Sequence, residues 1–352
     1  MAAVASLMAV ILAVCDGGCA PQGPEPEAPA GPAAETPAGP ERPRSPDPSE
    51  TASTAAAEEA SEEAGPLPLI EASGLVVRGG GKVAVVCGDE ARSRLWGVSL
   101  ADPARRWTLP FPPDTPTLDD LESLAPWKEH GLFAATSQTR TKTKEKARPA
   151  RNRLALVTLT PDARRVVGVR VYENLRGDLL RYLTVRCGDL LENVQALVLR
   201  GPNDGGLNVE GLAVWRDRLL LGLRSPLTPD GPIVVPVANP ETLFEGGEPP
   251  RFDAPVVLPA GPGEAIRGMT EGGEDTILVL LGPGTDAPGP AQRIVRWWPA
   301  ENRLEEVNLP ALKGIERAEA MALDADGRLL LVTDYRVPTP RQVFYRLQIG
   351  KP

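Results

Sequence analysis

The stretch Asn208–Leu227, "NVEGLAVWRDRLLLGLRSPL", holds the pattern that organises this chain. An acid, a small residue and an aliphatic open a short apolar run, a polar turn follows, and a second run of leucines ends in Arg and Ser. Short runs rich in Val and Leu, bounded by turn residues, read as strand, turn, strand. The phrase returns as "EASGLVV" from Glu71, "DLESLAPW" from Asp120, "AIRGMTEG" from Ala265 and "RAEAMALD" from Arg317. Each copy is again followed by a second run: "KVAVVCGDE", "GLFAATSQ", "TILVLLGPG" and "RLLLVTDY".

A third run comes next in most copies, as in "RLWGVSL", "RLALVTL" and "RIVRWW", and often a fourth, more polar one, as in "RRWTLPF" and "RLEEVNLP". Four antiparallel strands per unit, repeated around a ring, predict an all-β protein, a β-propeller. The position of Glu210 in the phrase is taken elsewhere by Ser73, Glu122, Arg267 and Glu319, at successive spacings of 49, 88, 57 and 52 residues. Five blades are expected. Six is the alternative if the long interval, with its stretch Glu173–Leu197, hides another sheet; a short helix there is the other reading. The last unit ends after three strands, so "PLPLIE", residues 66–71, is expected to supply the missing edge, because an uncovered edge invites aggregation.

With these repeats laid out, the body from about Leu67 to Ile349 resembles the bacterial domain of unknown function 3616 family. "NVEGLAVWRDRLLLGLRSPL" carries most of the resemblance, supported by "DLESLA", "IRGM" and "EAMALDADGRLLLVTDY". It implies a propeller and no particular activity. A weaker similarity links the recurrent "EGLA" to phytase-like, esterase-like propellers, from which Ser73 and Arg267 depart.

The first fifth of the chain is of another kind. Residues 2–14, "AAVASLMAVILAV", are too short an apolar run to span a bilayer and suit the core of an export signal. Residues 1–19 are expected to form a signal or lipoprotein segment, with Cys15 or Cys19 the lipidated residue. Residues 20–65, rich in Pro, Ala and Glu, offer too little to bury and are expected to be a disordered tether. Residues 66–350 make the propeller domain. Up to residue 65 there are 11 acidic and two basic residues, so the net charge of −9 resides in this segment and the body is balanced at 36 of each sign. That balance argues against nucleic acid as a partner. Anchoring to a membrane by lipid, in the cell envelope, periplasm or cell surface, is the expected setting.

In a propeller the first strand of each blade lines the channel, so Ser73, Glu122, Glu210, Arg267 and Glu319 are expected to converge. Three readings follow. Glu122, Glu210 and Glu319 could hold a hard cation such as Ca²⁺; they could be locked by donors and by Arg267; or two of them could act as an acid/base pair. No other cofactor is indicated.

The second strands end in Asp89, Arg140, Arg224 and Asp334, expected on the face opposite the first-strand starts or on its rim, where the arginines either clamp an anion or pair with the acids. Cys87 and Cys187 either form a disulfide or are two separate buried thiols. The basic run Arg140–Arg153 is expected to be a solvated loop, with an anionic lipid or polysaccharide as the other reading. His130 lacks a partner pattern, and "GPGTDAPGP", residues 282–290, fails as a phosphate loop. Trp297 and Trp298, adjacent on a strand, must face opposite sides. The expected function is binding of a small-molecule or protein ligand at the channel face. The alternatives are a metal-dependent, phosphoesterase-like hydrolase of an anionic substrate and a structural envelope protein.

Overall fold

The computed structural model describes residues 62–66, 71–88, 92–141, 146–188, 191, 194–287, 289–315, 317–334 and 343–349. The expected signal and most of the tether, with Cys15, Cys19 and the rim candidate Asp89, lie outside the described residues. No described helix is long and apolar enough to cross a membrane.

After the short β1 (Glu62–Pro66), the chain builds its sheets in order. The first comprises β2 (Ala72–Arg78), β3 (Val83–Gly88), β4 (Arg94–Ser99) and β5 (Arg106–Pro110). The second comprises β6 (Leu121–Trp127), β7 (Gly131–Thr136), β8 (Leu154–Leu159) and β9 (Val166–Tyr172). The third comprises β10 (Asn208–Trp215), β11 (Arg218–Thr228), β12 (Gly231–Val237) and β13 (Val256–Val257). The fourth comprises β14 (Glu264–Gly273), β15 (Thr276–Pro283), β16 (Arg293–Trp298) and β17 (Arg303–Glu306). The fifth holds β18 (Ala318–Leu323), β19 (Leu329–Thr333) and β20 (Val343–Leu347), with β1 beside β20.

Every sheet is antiparallel, with neighbours in chain order except that β1 lies beside β20, and the innermost strands pack in a closed cycle: β2 on β6, β6 on β10, β10 on β14, β14 on β18, and β18 back on β2. This is a five-bladed β-propeller. The sixth blade is excluded, because the long interval holds the helices Leu175–Arg186 and Val194–Leu199 instead of a sheet. Leu175, Leu179 and Leu183 are fully buried between the second and third blades, so the insertion is part of the core.

Why the strands read as continuous apolar runs is clear from the cores. Each of the five apolar clusters among the described residues lies between two neighbouring blades. Successive residues of one strand therefore serve different cores: Val85 and Cys87 face blade two, whereas Ala84 and Val86 face blade five. A strand buried on both faces has no polar side to alternate. Trp297 is buried between blades three and four, and Trp298 stands on the other side with Arg303 stacked over it, 3.5 Å from the ring centre.

Ring closure comes from the N-terminal side, as expected, but through Glu62–Pro66 in place of residues 66–71; Glu62 pairs with Arg346 and Pro66 with Val343. Cys87 and Cys187 are not joined. Each is a buried thiol outside any disulfide, Cys87 in the core between blades one and two and Cys187 in the core between blades two and three.

Candidate functional site

One irregularity recurs in every blade and decides where the polar residues point. Between the first and second strands the register slips by one residue: Ala72 pairs with Gly88 but Gly74 with Cys87, Leu121 with Thr136 but Ser123 with Ala135, Val209 with Leu223 but Gly211 with Gly222. The same slip separates Ile266 from Gly268 and Ala318 from Ala320. The residues left without a ladder partner are Ser73, Glu122, Glu210, Arg267 and Glu319. A β-bulge bends its strand and re-aims the extra side chain. All five candidates of the aligned phrase are thus the bulge residues of the five inner strands.

The residue after each bulge is small, and the packing shows why. A Cβ at Gly268 would lie 2.9 Å from the carbonyl oxygen of Glu319, and one at Gly74 would lie 2.9 Å from the Leu124 nitrogen of the next blade. Inner strands pack backbone against backbone here, which lets bulge side chains from different blades reach each other. In blades one, two and five the residue two before the bulge is left-handed, with φ of 58° at Glu71, 65° at Asp120 and 56° at Arg317.

Three of the five bulge residues form a charge chain. Arg267 Nη1 lies 3.1 Å from Glu210 Oε2, and its Nη2 donates to Glu319 Oε1. Glu210 Oε1 accepts from Arg224 Nη1 at 2.8 Å and from the Asn208 amide at 2.8 Å. Arg224 completes its fork by donating to Asp286 Oδ1 at 2.8 Å and to the Gly284 carbonyl at 3.2 Å, so it bridges blades three and four. Ser73 donates to the Glu71 carbonyl at 3.2 Å within its own blade. Glu122 takes the equivalent bulge position, half-buried.

Burial pushes both carboxyls up, but their partners give them opposite net shifts. At Glu210 the guanidiniums of Arg267 and Arg224 and the Asn208 amide outweigh burial and hold it below the usual carboxylate range. Glu319 shares Arg267 with Glu210 and also faces Glu210 and Asp334, so burial prevails and it is pushed up to about 7. The partners in turn raise the pKa of Arg224 and Arg267 against their own burial.

This arrangement does not suit a calcium site. One guanidinium stands between Glu210 and Glu319 and a second covers the other oxygen of Glu210, so a cation there would meet two fixed positive charges. Hard cations need several free oxygens, and no group of three acidic, His or Cys ligands occurs among the described residues. An anion clamp by Arg224 is disfavoured for the converse reason, since its charge is already offset by Glu210 and Asp286 and each of its nitrogens donates within the protein, to Glu210, Asp286 and the Gly284 carbonyl.

The second-strand ends lie beside the first-strand starts, not on the opposite face: Asn208 pairs with Ser225, and Arg224 bonds Glu210. An antiparallel hairpin requires this. Asp334 pairs with Arg317 of its own blade, and Arg140 lies near the buried Arg176. Burial, with Arg140 adding like-charge repulsion, lowers Arg176 to about 10; Arg176 donates to the carbonyls of Gln138 and Val198 and pins the helical insertion to blade two.

Part of the basic run is likewise committed. Arg148 donates to Asp119 Oδ2 at 3.1 Å, Arg151 reaches Asp120 Oδ2 at 2.7 Å, and Arg153 pairs with Glu173 at 2.5 Å. These arginines are structural partners in place of a free basic face. Asp286, Asp119 and Arg176 act across distances in the chain that no local pattern marks, whereas Asn208 reaches Glu210 two residues on, a contact that shows only once the bulge has turned Glu210.

Above the charge chain on this face is a cleft of about 320 Å³ whose walls include Asn203, Asp204, Arg224, Ser225 and Thr285. Asn203 donates to Asp286 Oδ2 at 3.1 Å, which ties the insertion to the same network. A larger cavity of about 570 Å³ adjoins Gly79, Gly81 and Lys82, at the opposite end of β2 from Ser73.

Residues 192–343 match the family described as protein of unknown function, DUF3616. No curated protein matches the chain. Among solved structures, the Myxococcus xanthus glutaminyl cyclase is similar with 12% identity and a TM-score of 0.46, over 82% of this chain and 94% of that one. A structure titled glucose dehydrogenase shares 12% identity at a TM-score of 0.43, over 83% and 100%. A streptogramin B lyase structure shares 10% identity at a TM-score of 0.38, over 83% and 98%.

Proposed function

We propose that this propeller, which carries a DUF3616 domain over residues 192–343, is an exported, lipid-anchored binding protein whose ligand enters at the face where the first strands begin. The observation that carries the reading is the pairing of an open cleft with a chain of mutually paired charges beneath it. Glu210, Arg224 and Arg267 hold one another, so they fix the blades around the face on which the cleft opens. Loops on a rigid ring are suited to recognition. Export and anchoring rest on the apolar run at residues 2–14 followed by Cys15 and Cys19.

Screening the whole mature protein against a chemically diverse small-molecule library by ligand-observed NMR tests the binding reading. Hits displaced by substitution of Asn203 or Thr285 are expected. Hits that respond only to changes around Lys82, or none at all, would contradict it. The mass of the mature N-terminus tests the anchor: a diacylglyceryl cysteine is expected, and an unmodified terminus after Cys19 would contradict it.

A further inference from the structure

We infer that the larger cavity, on the face opposite the charge chain, is a second site, which binds a small molecule by a carboxylate or phosphate group held between Lys82 and Arg164. Its volume of about 570 Å³ falls within the roughly 300–1,000 Å³ usual for small-molecule sites. The inference goes beyond the reading of the other face and does not depend on it.

Three blades meet at this cavity. The turn "GGGK", residues 79–82, joins β2 to β3 with its three glycines left-handed, at φ of 62°, 63° and 82°. It is wedged between its neighbours: a Cβ at Gly79 would lie 3.1 Å from the Asp162 carbonyl oxygen of blade two, and one at Gly81 would lie 2.7 Å from the Ala325 Cβ of blade five. The Lys82 N–H donates to the Arg78 carbonyl at 3.2 Å, and the Lys82 carbonyl accepts from Leu100 at 2.9 Å. The backbone that carries the ammonium group is therefore fixed.

Charge selects the ligand. Among the described residues that line the cavity, Lys82, Arg164 and Arg346 are cationic and Asp162 is the one anion. Arg346 is committed to Asp324, a carboxylate buried behind it, through a bond of 2.7 Å. Lys82 is exposed, and no described carboxylate pairs with it. Asp162 opposes the two remaining cations, but it is a single charge, and its Oδ1 is held in the β8–β9 turn by the Thr160 hydroxyl at 2.6 Å and the Arg164 N–H at 3.1 Å. Two exposed cations against one carboxylate favour an anion over a cation or a neutral molecule.

The arginine narrows the class further. Arg164 stands over the Trp107 ring, 3.8 Å from its centre, and Trp107 is itself held by its Nε1–H donating to the Ala163 carbonyl at 3.3 Å. A guanidinium on a ring face keeps its N–H edges, and within the described residues that group makes no hydrogen bond. Carboxylate and phosphate present the paired oxygens that such a fork receives. Val83 and Leu100, which also line the cavity, give the body of the ligand apolar surface.

The test is saturation-transfer NMR on the full chain with benzoate, phenyl phosphate, benzylamine and benzyl alcohol, which share an aromatic ring and differ in the charge of the head group. The two anions are expected to bind saturably and more weakly as salt is raised, with affinity falling roughly ten-fold in Lys82→Met and in Arg164→Gln at unchanged melting temperature. Benzylamine or benzyl alcohol binding as tightly as benzoate would overturn the choice of an anion. Anion binding unaffected by both substitutions would overturn its placement in this cavity, and failure of all four compounds would overturn the site itself. None of these results bears on the other face, where substitution of Asn203 or Thr285 is the marker.

Discussion

Arg267 of the fourth blade divides its guanidinium between Glu210 of the third and Glu319 of the fifth, so a single side chain ties three blades at the channel. It can do so because all three residues are bulge residues of neighbouring inner strands. Their direction is set by a one-residue register slip, and their proximity by the small residues that follow them.

The two carboxylates of this chain should leave opposite marks on stability. Glu319 has a folded pKa of about 7, above its ordinary 4.5, so the folded state holds a proton that the unfolded state has lost between those values. Its contribution is complete below pH 4.5 and disappears as pH rises through 7, on the order of 3 kcal/mol. Glu210, held low, contributes stability above its ordinary pKa of 4.5 that is lost as pH falls through its depressed folded value. Urea denaturation from pH 5 to 8 should show Glu319→Gln with a flatter pH dependence than the parent. Parallel curves would contradict the assignment.

Backbone contact beside the bulges makes Gly268 intolerant of a methyl group. Gly268→Ala should cost about 1–3 kcal/mol, because the Glu319 carbonyl cannot move as a flexible side chain would. Gly168→Ala on β9, where a Cβ meets nothing within 4 Å, is the control and should be close to neutral or mildly stabilising. Equal effects in chemical denaturation would contradict the packing account.

A chain starting at residue 67 lacks β1 and leaves β20 as an open edge. Lower thermal stability and concentration-dependent association, read by light scattering, are expected. A monodisperse protein of unchanged melting temperature would show that β1 is not the closing strand.

Calcium should not matter to this fold. Melts with millimolar Ca²⁺ and with chelator are expected to coincide. A site saturated a hundred-fold over its Kd would add about 2.7 kcal/mol, an effect easily seen in such melts. A calcium-dependent rise would restore the metal reading of Glu122, Glu210 and Glu319.

The blade count and the five bulge residues could be read from the chain because the phrase around Glu210 repeats and its hairpins are local. The bulges themselves could not, since a register slip changes pairing without changing the apolar pattern. Nor could the partners of Arg224: Asp286 lies on a loop of the next blade, and nothing near it in sequence marks the contact. The closing strand "EEAGP" is polar and short, so no apolar pattern marks it, whereas the neighbouring "PLPLIE" carries the apolar residues expected of a strand. Within the basic run, Lys146 and Arg148 are exposed as a solvated loop requires, while Arg151 is drawn in by Asp119 and Asp120, which precede it by some thirty residues and meet it only through the fold of blade two.

A double-mutant cycle between Glu210→Gln and Arg267→Met, followed by urea denaturation at pH 7, probes the tie between blades most directly. Each single change breaks a buried ion pair and should cost about 3 kcal/mol. The account predicts a coupling energy of at least about 1 kcal/mol between them. Additive effects, within about 0.5 kcal/mol, would contradict it.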